Sequence, residues 1–180
     1  MRYLIIFVLM MHGTDTAQAQ TMRFCKQGLS LFFMGSRLDD ALSAYLHDID
    51  TSDGWGLIDL NGIKFGLDDP ESYCFKKLEP GAFVLEGIDP SAIICIAYTK
   101  GGMIRQITIR CEACDPSSII HTLDTAFGKP VVAGTGGVAD GTTWSTALWS
   151  STAGFDVFYS GVARSIKLYY PDPDEYKKYQ

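Results

Sequence analysis

An α+β fold is what this sequence predicts: an antiparallel sheet, or sheets, of about seven to nine strands with two amphipathic helices, stabilised by disulfides. Three patterns lead there. Two stretches, about 37–48 and 116–127, repeat apolar residues at helical spacing. Short β-type segments surround the second stretch, several of them divided by the turn dipeptides Asn61-Gly62, Asp69-Pro70, Pro80-Gly81 and Asp89-Pro90. One pair of those segments also satisfies a hairpin register residue by residue.

The first feature along the chain is a leader. Met1-Arg2 is positive, 3–11 is an unbroken apolar run, and a polar stretch ends in Ala17-Gln18-Ala19. That order is a secretory signal peptide, with cleavage expected after Ala19. The apolar run is about half of what a membrane-spanning helix needs, and no later segment approaches that length. Cys25 follows Met22-Arg23-Phe24, without the small residues that precede a lipidated cysteine. The expectation is a periplasmic or secreted protein with no membrane span and no lipid anchor. Its 180 residues then divide into a signal peptide (1–19), a single α+β domain (20–170) and a solvated polar tail (171–180).

Residues 20–35 carry no assignable period. Ser36 can cap a helix with Asp39 at the third helical position, and Leu38, Ala41, Leu42, Tyr45 and Leu46 then form one face, predicting a helix over 37–48. Strands are expected at 57–60, 62–67, 73–78 and 82–86. The hairpin joins 92–100 to 103–111 through Gly101-Gly102. Pairing Lys100 with Met103 puts Ala92, Ile94, Ile96 and Tyr98 opposite Cys111, Ile109, Ile107 and Arg105, while Cys95, Gln106, Thr108 and Arg110 take the other face. Asp115-Pro116 opens the second helix with Asp as N-cap, and Gly128 and Pro130 end it. A Gly-rich loop is expected at 134–141, then strands at 142–149, 155–160 and 164–170. The order of one helix followed by several strands occurs twice, although no residue-level repeat accompanies it.

The five cysteines, Cys25, Cys74, Cys95, Cys111 and Cys114, all survive cleavage of the leader, and export makes them disulfide candidates. An odd number implies at most two bridges and one remaining thiol. Cys95 and Cys111 fall on opposite hairpin faces and should not pair with each other. Cys111-Glu112-Ala113-Cys114 has thiol–disulfide spacing, but both cysteines precede the helix start, so the dipole does not favour a thiolate at the first one. A structural role is expected.

Other chemistries find little support. A charge of −6 argues against nucleic acid as a partner. Asp48, Asp50 and Asp53, with Asp59 beyond them, are weak candidates for calcium, because the glycine an EF-hand loop requires at its sixth position is displaced to Gly54. Ser117, His121 and Asp124 share one helix face, whereas a catalytic triad converges from separate elements. Gly134-Thr135-Gly136-Gly137 lacks the Lys-Ser/Thr of a phosphate loop. No catalytic residue and no cofactor is assigned. What remains is an aromatic crowd in the last strands, in which Trp144, Phe158 and Tyr169 are the candidate recognition surface. The preferred reading is a small exported non-catalytic protein, an envelope accessory factor or an inhibitor, that binds another exported protein or a small ligand. The alternatives are a small secreted hydrolase using paired carboxylates and a thiol–disulfide protein using Cys111 and Cys114.

Overall fold

The computed structural model describes residues 19–49, 73–137 and 143–171. The leader up to residue 18, the strands expected at 57–60 and 62–67, and the tail from residue 172 lie outside the described residues. Elements run in the order β1 (Gln20–Met22), β2 (Phe24–Cys25), β3 (Gly28–Leu29), β4 (Phe32–Phe33), α1 (Asp40–Ser43), β5 (Leu46–Asp48), β6 (Tyr73–Leu78), β7 (Phe83–Leu85), β8 (Ile93–Thr99), β9 (Ile104–Arg110), α2 (Pro116–Phe127), β10 (Val132–Gly137), β11 (Thr143–Ser150), β12 (Asp156–Ser160) and β13 (Ser165–Tyr169).

Eight strands form one sheet, ordered β10-β11-β12-β13-β9-β8-β6-β5, with every pair antiparallel. Two small sheets, β1-β7 and β2-β3-β4, accompany it. Among the described residues the large sheet divides into two four-stranded halves, each preceded in sequence by a helix, and the halves meet where β13 pairs with β9. This is the twice-repeated order seen in the sequence.

Alternation along the strands sends one set of side chains inward. Trp149, Val157, Leu168, Ile107 and Ile96 line up across five neighbouring strands, and each is buried. Ala147, Tyr159, Ile166, Ile109 and Ile94 form a second buried row beside them. Helix α2 lays Ile119 and Leu123 on this face. Aromatic edges carry the packing outward: Phe24 meets Phe127 at 6.1 Å, Phe127 meets Phe155 at 6.1 Å, and Phe32 meets Phe83 at 5.7 Å.

The second helix spans 116–127 as the sequence predicts. Asp115 accepts from the Ser118 amide at 2.9 Å, and Gly128 ends the helix at φ +88°. The first helix does not span 37–48. Only Asp40–Ser43 is helical, capped by Asp39, and Leu46–Asp48 is strand β5. Tertiary hydrogen bonds outcompete the local pattern here. The Leu38 amide bonds to Gly102, the Ile104 amide to Ser36 and the Gly35 amide to Ile104, so 35–38 is tied to the β8–β9 hairpin. Downstream, Leu46 pairs with Leu78 in the sheet.

The hairpin register holds at Ile94–Ile109 and Ile96–Ile107, then shifts by one residue after Ala97, so Tyr98 faces Ile104 rather than Arg105. The turn is longer than Gly101-Gly102. Gly102, at φ +83°, donates to the Thr99 carbonyl, and the Thr99 amide donates to Met103. Residues 82–86 yield β7, which joins β1 in parallel instead of entering the main sheet. The expected loop at 134–141 is instead strand β10 through Gly137, pairing with β11 from Val132–Leu148 to Gly137–Thr143.

Candidate functional site

The residues between the core positions face the other side of the sheet. Val132, Leu148, Phe158, Lys167, Thr108 and Cys95 are cross-strand neighbours in one row. Ser150, Asp156, Tyr169, Gln106 and Ala97 form the next. Leu148, Phe158, Lys167 and Tyr169 are half-buried. Phe158 opposes Lys167 while Tyr169 opposes Asp156, which makes the two aromatics diagonal neighbours on adjacent strands. Two of the three aromatic candidates therefore come together on one face. The third, Trp144, holds the β11 position opposite Gly136, and its side chain lies outside the described part of the structure.

Asp156 is the buried carboxylate of this face, 4% exposed. One oxygen accepts from Ser150 Oγ at 2.8 Å, and the other has no hydrogen-bond partner among the described residues. A buried acceptor without a donor is costly to the fold. Strand alternation places Asp156 beside Phe158 in the sequence; nothing there signals its burial or its open oxygen.

The cysteines resolve differently from the expected count. Cys111 and Cys114 form a disulfide with a Cα–Cα distance of 5.5 Å, while Cys25, Cys74 and Cys95 carry thiols. Cys74 pairs with Tyr98 in the register and Cys95 with Thr108, and alternation puts the two thiols on opposite faces. Cys95 and Cys111 do not pair, as the register requires. The bridge joins the end of β9 to the N-cap of α2, and both cysteines precede the helix. Cys111 is 2% exposed. Glu112 between them contacts Arg110 at 2.6 Å and Arg164 at 3.6 Å, and the Cys114 sulfur accepts from the Asp89 amide at 3.4 Å. A buried first cysteine without a helix N-terminus lacks both access and thiolate stabilisation.

The acidic candidates separate. Asp48 lies in β5 and bonds to Lys76 across the strand pair; that hydrogen bond holds its carboxyl below the usual range. Asp50, Asp53 and Asp59 lie outside the described residues, and no group of metal-ligating side chains occurs among the described ones. On α2, Ser117 and His121 are exposed, whereas Asp124 turns inward to accept from Trp149 Nε1 at 3.1 Å and from Lys129 Nζ at 2.8 Å. These bonds lower its pKa, Lys129 first. Asp89 and Asp115 are also displaced downward, by Ser91 and by Ser118. Such carboxylates are ionised acceptors, not proton donors. A shallow indentation of about 70 Å³ between Lys77 and Ile94 carries one acid, Glu79, which lies 3.9 Å from His47.

No helix of the described residues is long and apolar enough to cross a membrane. No family model, no curated protein and no solved structure matches the chain.

Proposed function

We propose that this is an exported, non-catalytic protein that binds another exported protein or a small ligand through the sheet face carrying Phe158, Tyr169 and Asp156. The observation that carries the reading is the diagonal pair of half-buried aromatics on the face opposite the core. Aromatic side chains on a rigid antiparallel sheet offer large contact area at little cost in conformational entropy. Export supplies the compartment in which the Cys111–Cys114 bridge persists. The hydrolase and redox alternatives draw less support, since the described carboxyls with displaced titration are all displaced downward and the bridge is built into the start of α2.

The test has two arms. N-terminal sequencing of the chain expressed in a bacterial host should begin at Gln20; a mature, folded protein retaining Met1 sinks the export claim. Wild type, Phe158→Ser and Tyr169→Ser are then compared for capture from the exported fraction, with melting temperatures checked. Capture at least tenfold weaker in both variants, with folding intact, is expected. Equal capture by all three overturns the assignment of the face.

A further inference from the structure

We propose that two copies of this chain pair antiparallel along β10, joining their large sheets edge to edge. Strand β10 ends the sheet order and, among the described residues, has a strand neighbour on one side only. An edge strand presents unpaired backbone N–H and C=O groups, and soluble proteins blunt such edges with charges, proline, brevity or bulges. Strand β10 has no charged residue and no proline within it, runs for six residues and is exposed along almost its whole length.

The strand's own sequence selects a second copy as the occupant. It begins Val132-Ala133 and ends Gly136-Gly137. Antiparallel self-pairing about its centre sets Val132 opposite Gly137 of the other copy, Ala133 opposite Gly136, and Gly134 opposite Thr135. The bulky start of each strand then covers the bare backbone of the other's glycines, where a close backbone approach is easiest. Val132 is 61% exposed, so pairing covers an exposed apolar side chain on each copy. The absence of charge on the strand lets two chains of formal charge −6 meet there without placing like charges in contact. A six-residue edge buries less than the roughly 1,200–2,000 Å² of a standard stable interface, so the pairing is weak and concentration-dependent.

Sedimentation of the full exported chain, with reductant present to exclude bridges through Cys25 or Cys74, tests this. Wild type should shift from one chain mass toward two as concentration rises from about 5 to 300 µM. Val132→Lys with Thr135→Lys should weaken the association at least tenfold without moving the melting temperature, because both side chains are exposed. Phe158→Ser, which tests the partner-binding face, should leave self-association unchanged. A wild type that stays monomeric throughout overturns the proposal and leaves the edge to a strand from a different chain. A dimer unaffected by the two lysines overturns it as well.

Discussion

Trp149 is fully buried, and its indole N–H is shared between Asp124 Oδ1 and the Gly128 carbonyl, each at 3.1 Å. One side chain thus fills the core beneath α2 and also satisfies the end of that helix. Trp149→Phe keeps most of the volume but strips a donor from two acceptors. We expect a loss of about 1–3 kcal/mol in denaturant unfolding. The sign of the pH effect follows from Asp124. Its folded pKa is depressed, so its contribution is present above the unfolded value near 3.8 and fades as pH falls through the lower folded value. Wild type and Asp124→Asn should therefore converge in stability on acidification and separate at neutral pH; a gap that widens toward acid contradicts the pairing. Gly161 is a position of close approach: a Cβ there would meet the Ser145 carbonyl oxygen at 2.6 Å. Gly161→Ala should cost about 1–3 kcal/mol through forced backbone movement. Period-two alternation makes Phe158 and Tyr169 legible in sequence, because it separates them from Phe155, Val157 and Tyr159. The burial of Asp156 is not legible, since it depends on neighbours from other strands.

At the scale of elements, α2 was readable and α1 was not, and the reason is where their hydrogen bonds go. Asp115, Pro116 and Gly128 supply the cap, first turn and stop of α2 from within 14 residues. The segment 36–38 bonds instead to residues of the β8–β9 hairpin, a long-range competition that helical periodicity does not report. Strand β10 was hidden for a related reason. Its glycines give no alternation, and its strand character comes from the ladder with β11. The disulfide belongs to this scale too. It closes a very short loop, and the chain-entropy model gives such a bridge about 2 kcal/mol. Cys111→Ser with Cys114→Ser should lower stability by at least that amount, since Cys111 is buried. Thiol titration of denatured, unreduced wild type should count three, one each from Cys25, Cys74 and Cys95; a count of one would restore the second bridge that an odd cysteine number first suggested.

For the whole molecule, the defining arrangement is one sheet of eight antiparallel strands with α2 and the core on one side and the Phe158–Tyr169 face on the other. Strands β9 and β13 join the two halves at its centre, so their amides should exchange slowest with solvent and those of β10 among the fastest. The proposal that function resides on the face opposite the core is tested most directly by hydroxyl-radical footprinting of the protein alone and in complex with any partner recovered in the capture experiment. The account predicts that Phe158 and Tyr169 lose labelling in the complex while Trp149 and Tyr159, already buried in the core, stay unlabelled in both states. Protection confined to the indentation around Glu79 and Ser91, with Phe158 and Tyr169 labelled as strongly as before, would contradict it.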